Sequence, residues 1–245
     1  MSRPLDDYPR PNLAVDLALF TLVPDPEGGR HALGVVALDA GPDPLALPGR
    51  FVRECQRVTE TVGDVLEVKL GHRPRRLDLR MLGVYDDPSR DPRGWVVSLA
   101  WSAAITEHDL ARLTPEAQTV QVRGDASRGR RVTRTPLAYD HDDMVTTGLR
   151  RMRRRYERLP DPDGLLRAPF TLSRLRHAHE AVLGEPLKRD TFNRRMREFL
   201  EPVVDKSGNE VLSQESVGRP AQVFRPPRRV QGSGPFPLPR ATSPH

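Results

Sequence analysis

The chain has 245 residues, 37% apolar and 29% charged, with a formal net charge of +6. Its length exceeds one average domain and it has no long apolar run, so composition predicts a two-domain soluble protein and argues against a membrane protein. The single cysteine, Cys55, excludes an internal disulfide framework, and the polar, proline-rich start Met1 to Arg10 lacks the features of a signal peptide; the expected compartment is the cytoplasm.

The charge is unevenly divided. Residues 149–245 hold 20 Lys+Arg against 11 Asp+Glu, a balance of +9, whereas residues 1–148 hold 19 against 22, a balance of −3. Segregation of this kind suits a carboxy-terminal module that meets a polyanion and an amino-terminal module with another task.

In chain order, Asn12 to Val23 and His31 to Asp39 are rich in β-branched and aliphatic residues and flank the turn-forming Pro24 to Gly29, which predicts strand, turn, strand. Proline and glycine punctuate Gly41 to Gly49. A helix is expected from about Glu54 to Leu70, where Val58, Val62, Val65, Leu66 and Lys69 recur at spacings of three and four. Strands follow at Leu79 to Tyr85 and Trp95 to Ile105, joined by the turn-rich Asp86 to Gly94. Strands of this number around one helix predict an α/β sandwich. A lone cysteine without a neighbouring base, Cys55 is expected to pack rather than react.

The run Leu47-Pro48-Gly49-Arg50-Phe51-Val52-Arg53-Glu54, closed by Gly71, resembles the opening and end of a Nudix box, G-x5-E-x7-R-E-U-x-E-E-x-G-U, in which glutamates gather divalent metal beside a substrate diphosphate. Aligned on Gly71, the pattern puts Arg50 at the first glycine, Gln56 at the first glutamate, Asp64-Val65 at Arg-Glu, and Val68 and Lys69 at the paired metal-binding glutamates. Magnesium needs oxygen ligands, which valine and lysine do not supply, so no hydrolysis and no metal cofactor are expected. A lysine there can instead pair with a phosphate, leaving a pocket that binds without turnover. Arg50, Phe51, Arg53 and Lys69 are the candidate ligand-binding residues of this former active site, with Tyr85 and Arg93 as additions from the strand and turn that follow.

The turn Asp86-Asp87-Pro88-Ser89-Arg90-Asp91-Pro92-Arg93-Gly94, the strand Trp95-Val96-Val97-Ser98 and the later Leu137-Ala138-Tyr139-Asp140-His141-Asp142 resemble segments of Nudix-related transcriptional regulators of the NrtR type. The similarity runs from about Tyr8 to Pro226 and implies a Nudix-like α/β/α sandwich followed by a winged helix-turn-helix. Its least family-like stretch, Glu116 to Thr135, contains Arg123 to Gly129, expected to be a flexible surface loop. Asp140 to Asp143 gathers three carboxylates and an imidazole, but adjacent residues on a forming helix point in different directions, so capping is expected rather than metal binding. Met144 to Leu159 then forms a helix with Val145, Leu149, Met152 and Tyr156 on one face, ended by Pro160 and Pro162.

In the basic module, Thr171 caps an expected helix from Leu172 to Leu183 that Gly184 stops. Asp190 is expected to cap a second helix to about Leu200 that buries Phe192, Met196, Phe199 and Leu200 and leaves Thr191, Asn193, Arg194, Arg195 and Arg197 to solvent. Glu210 to Gln214 and Ala221 to Arg225 form the hairpin of a wing around Ser216 to Pro220. Arg194 and Asn193 are the candidates for base contacts, while Lys188, Arg189 and Arg219 are placed on the backbone or in the minor groove. The expected domains are residues 8–140 for the Nudix-like ligand-sensing part, 141–160 for a linker helix, 161–226 for the DNA-binding part and 227–245 for a proline-, glycine- and serine-rich disordered tail.

Together these features predict a regulator, most simply a repressor, that binds a palindromic double-stranded operator as a homodimer and senses a small nucleotide or sugar metabolite. The resemblance implies ADP-ribose or a related product of NAD metabolism as effector. The competing expectation is a Nudix hydrolase of a nucleoside diphosphate derivative that recruits Glu54, Glu60 or Glu67 outside the usual box.

Overall fold

The computed structural model describes residues 7–25, 31–41, 43–75, 77–123, 131–213 and 220–226. The strand β1 (Asn12–Val23) is central. It pairs antiparallel with β2 (Ala32–Ala40) on one side and parallel with β6 (Val96–Ala104) on the other. β2 continues to β3 (Asp43–Ala46) and to β7 (Gln118–Val122), β4 (Gly49–Phe51) lies against β1, and β5 (Arg80–Tyr85) closes the far edge beyond β6.

β1 is apolar on both faces because both faces are covered. Val15, Leu17 and Leu19 join Trp101, Ala103 and Ile105 under α1 (Val58–Asp64) and its continuation Val65–Lys69, which supplies Val62, Val65, Leu66 and Leu70. The alternate residues Ala18, Phe20 and Leu22 face α3 (His141–Tyr156), which buries Met144, Val145, Leu149, Met152 and Tyr156. Gly148 lets α3 approach the sheet, since a Cβ there would lie 2.9 Å from the Phe20 ring. The short α2 (Glu107–Leu110) is capped by the Thr106 hydroxyl.

The second unit consists of β8 (Phe170–Thr171), α4 (Leu172–Leu183), α5 (Arg189–Arg197), β9 (Glu201–Pro202) and β10 (Val223–Arg225), with strand order β8-β10-β9. Thr171 caps α4, accepting the Arg174 N–H at 3.1 Å, and Gly184 ends it at φ +78°, where a side chain is disfavoured. The base of the wing is a hairpin in which Val223 N–H donates to Val211 and Ser213 N–H donates to Ala221. Its tip, with Arg219, and residues 227–245 lie outside the described residues. No helix among the described residues is long and apolar enough to cross a membrane.

Several expectations change. Residues 41–49 are not merely punctuation, because β3 and part of β4 form there. Within Glu116 to Thr135, Gln118–Val122 is a strand whose Val120 and Val122 are buried against β2; its short alternation is hidden between turn residues. Residues 124–129 of the expected loop lie outside the described residues. α1 starts only at Val58, where Glu60 reaches back to the Arg57 N–H, so Glu54 to Gln56 precede it as a turn. Cys55 is exposed in that turn at φ +60° and packs against no core. α5 is capped at Lys188, which places Asp190 inside its first turn. It ends at Arg197, and Phe199, beyond the amphipathic face, is 41% exposed rather than buried.

Candidate functional site

A cavity of about 570 Å³ opens where β4, the end of β2, the turn after β5 and the start of α3 converge. Its lining includes Arg50, Phe51, Lys69 and Arg93 from the sequence-derived candidates. Arg53 and Tyr85 are not part of it. Arg53 is exposed, and its backbone N–H donates to Gln56 Oε1 at 3.2 Å. Tyr85 is half-buried beside Thr147 of α3, and that burial raises its phenol pKa.

Asp16, Arg90, Asp91, Tyr139 and His141 also line the cavity; none is among the ligand candidates read from the sequence, although all but Asp16 lie in the segments that carry the family resemblance. Asp16 left a signal: it is the lone charge in an otherwise apolar strand. Its Oδ2 accepts the Ser98 hydroxyl at 2.6 Å and lies 3.5 Å from Arg90 Nη2, and its Oδ1 faces His141 Nε2 at 3.6 Å. Burial alone would raise this carboxyl's pKa, but His141, Ser98 and Arg90 together lower it, so Asp16 is held ionised. Arg90, with its side chain only 3% exposed, makes a bidentate pair with Asp140 at 2.8 and 2.6 Å. His141 Nδ1 accepts the Leu47 N–H at 2.9 Å.

At the mouth, Arg93 is clamped by Asp91 at 2.9 and 2.7 Å, and its guanidinium lies 5.6 Å from the Phe51 ring centre and 5.2 Å from that of Tyr139. Tyr139 adopts φ +58°, a costly conformation for a bulky residue, and this turns it toward the cavity. Lys69 has its pKa lowered, first by burial and then by the charges of Arg50 and Arg93, with Asp16 opposing. Three cationic side chains and two aromatic rings in one lining suit a phosphate-bearing ligand with a flat group to stack.

The structure also alters the register of the box. Leu70 N–H bonds the Val65 carbonyl five residues back, so Val65–Lys69 is a π-helical turn, which accommodates one residue more than an α turn. Gly49 is the glycine that geometry requires, because a Cβ there would collide with the Asp16 carboxylate and lie 2.9 Å from the Val15 carbonyl. Counted from Gly49, with the extra residue taken up in the π turn, Asp64 replaces the glutamate of Arg-Glu, Glu67 keeps the first paired glutamate, and Lys69 becomes the inserted residue.

Each of these carboxylates is engaged by a protein partner. Asp64 accepts from Gln56 Nε2 at 2.9 Å, Glu67 is paired with Arg73 at 2.6 Å, and Glu60 is used in the cap of α1. Among the described residues, no three His, Cys, Asp or Glu are grouped to hold an ion. The segment Asp140 to Asp143 is divided likewise: Asp140 holds Arg90 and makes no cap bond, while Asp142 accepts from Thr133 and from the Leu137 N–H.

On the second unit, Lys188, Arg189, Thr191, Arg194 and Arg195 are exposed along α5. Asn193 is half-buried, and its Oδ1 is enclosed without a hydrogen-bond partner, which withdraws part of its amide from a groove. Arg197 lies over the Phe224 ring at 5.7 Å and so braces the strand leading from the wing.

A Nudix-like sandwich followed by a winged helix defines a two-domain class, a small-molecule pocket joined to a DNA-binding module. Residues 164–225 match the model of the NrtR DNA-binding winged helix domain. A crystal structure of Shewanella oneidensis NrtR superposes with a TM-score of 0.65 at 25% identity, covering 88% of this chain and 94% of that one. The same protein complexed with a 27mer DNA superposes at 0.64, with 26% identity and 88% and 93% covered. The ADPR responsive transcriptional repressor NtrR of Acinetobacter baylyi is 26% identical over 223 residues, 89% of this chain and 83% of the relative. Residues 164–225 thus carry a winged helix of the NrtR kind, and over most of its length the chain is similar to Nudix-related transcriptional regulators of the NrtR type.

Proposed function

We propose that this protein is a transcriptional repressor whose winged helix binds an operator as a homodimer and whose Nudix-like cavity senses ADP-ribose or a closely related product of NAD metabolism without cleaving it. The observation that carries the reading is the cavity itself, whose lining brings Arg50, Lys69 and Arg93 together with Phe51 and Tyr139, Arg93 lying over both rings, a chemistry suited to a diphosphate and a base. The relative described as ADPR responsive and the related protein crystallised with DNA support the two ligands. Binding without turnover is supported by the carboxylates, since Asp64 and Glu67 are engaged by Gln56 and Arg73, and by Lys69, which brings a positive charge to the cavity lining.

Arg194, exposed on α5, is assigned to a base edge, with Lys188, Arg189, Thr191 and Arg195 on phosphates or neighbouring edges. Asn193 contributes only through its amide nitrogen, Arg197 through the wing it braces, and Arg219 remains the wing contact suggested by sequence. Binding to fragments from the protein's own upstream region, with and without ADP-ribose, tests the reading. Arg194→Ala should weaken operator binding by about 1–3 kcal/mol while changing binding to random DNA far less. Equal affinity for random and upstream DNA would overturn the operator reading, and release of AMP from ADP-ribose with magnesium that Glu67→Gln abolishes would favour the hydrolase instead.

A further inference from the structure

We propose that the ion pair between Arg90 and Asp140 is the contact through which an anionic ligand in the cavity reaches the winged helix; the inference rests on the ligand-responsive reading above. Arg90 borders the cavity, and its Nε and Nη2 grip the two oxygens of Asp140 at 2.8 and 2.6 Å. Asp140 is the residue that opens α3, yet its carboxylate makes no cap bond, so its contact with Arg90 anchors the helix rather than completing it. The following residue, His141, also borders the cavity and accepts the Leu47 N–H. The start of α3 is therefore part of the ligand site.

The other end of α3 belongs to the DNA-binding unit. Arg153 Nε donates to the Val182 carbonyl at the end of α4 at 2.8 Å. Tyr156 meets the His179 ring edge-on at 4.8 Å, and His179 in turn meets Phe192 of α5 at 5.0 Å. One 16-residue helix, about 24 Å long, thus joins a pocket-lining ion pair to the core under α5.

A phosphate oxygen and the Asp140 carboxylate seek the same planar guanidinium fork. A phosphate bound there competes with Asp140 for Arg90, and its charge also repels Asp16 and Asp140. Occupancy therefore loosens the anchor of α3, and a bound ligand favours a different seating of that helix. Because coupling is reciprocal, the DNA-bound arrangement must alter ligand affinity by the same factor.

The test measures ADP-ribose affinity and operator affinity, each with and without the other, in the full-length protein, in Asp140→Asn and in Arg90→Lys. Asparagine preserves size and suits the start of a helix, while lysine keeps the charge but not the fork. In Asp140→Asn, ADP-ribose should bind more tightly because its competitor is gone. The factor by which it changes operator affinity should drop to under about 3-fold, against the roughly 5- to 150-fold of ordinary two-site coupling. Arg90→Lys should lose the coupling as well, with weaker ADP-ribose binding. If the unaltered protein responds to ADP-ribose and Asp140→Asn responds equally, the link alone is overturned. If the unaltered protein does not bind ADP-ribose, the ligand reading is overturned and the link falls with it.

Discussion

Single residues at the cavity show how one sequence position can be decided by another far from it. Gly49 looks like an ordinary turn glycine beside Pro48, but its hydrogen is the only substituent that fits beneath the ionised Asp16 carboxylate. Gly49→Ala should therefore destabilise the fold by about 1–3 kcal/mol, seen as a lower urea midpoint; an unchanged midpoint would show that Asp16 can move aside. The same geometry divides the sequence-derived candidates. Arg50, Phe51, Lys69 and Arg93 meet at the cavity, whereas Arg53 and Tyr85 are not part of its lining. Asp16 was legible as a charge in an apolar strand, but its partners were not, since Ser98, Arg90 and His141 reach it from distant segments.

Among the elements, α4 follows directly from the sequence because a threonine cap, an apolar face and a terminal glycine all lie within a few residues of one another. Local signals served less well for the Nudix helix, where the spacing of Val58, Val62, Val65 and Leu66 gives helix but not its π-helical end. α4 also buries a titratable group. His179 is fully enclosed, accepts the Asp161 N–H at 3.4 Å and meets the Tyr156 and Phe192 rings edge-on. Burial, aided by the charge of Arg195, lowers its pKa to about 4. An unfolded chain would take up that proton near pH 6.5, so the stabilisation is complete above pH 6.5 and is lost as pH falls toward 4, a change of about 3 kcal/mol. Asp161 and Asp163, whose pKa values burial raises, work in the opposite direction. The difference in denaturant stability between the unaltered protein and His179→Gln isolates the histidine: it should shrink from pH 7 to pH 4, and a constant difference would refute the assignment.

For the molecule as a whole, the boundary that charge and linker composition suggest does not separate two cores. One cluster of buried apolar residues runs from Phe20 and Val35 of the sheet through Met152 and Tyr156 of α3 to Leu175, Val182 and Phe192 of the winged helix. Glu107 adds a polar bridge, meeting His31 at 2.9 Å and Arg174 of α4 at 2.8 Å. Under the proposed coupling a module held at two places should respond to the pocket as a body, and in the proposed homodimer its orientation would set the spacing of two α5 helices. Operator half-sites should accordingly be centred about one helical turn apart, roughly 34 Å, or a multiple of it. Footprints on upstream fragments carrying insertions of about half a turn and a full turn check this: binding should fall with the half-turn insertion and recover with the full turn, and indifference to phasing would argue against a rigid dimer.

The sequence by itself determined the order of the domains, most of the strands and the helix-turn-helix, because each depends on periodicity, caps or residue chemistry within a short window. Only the tertiary structure decided which glycine opens the box, where the π turn shifts its register, and how Asp16, Arg90, Asp140 and His141 assemble around the cavity. Those features depend on side chains brought together across the sheet and the start of α3, where Asp140 and Arg90 are 50 residues apart and Asp16 and Ser98 are 82.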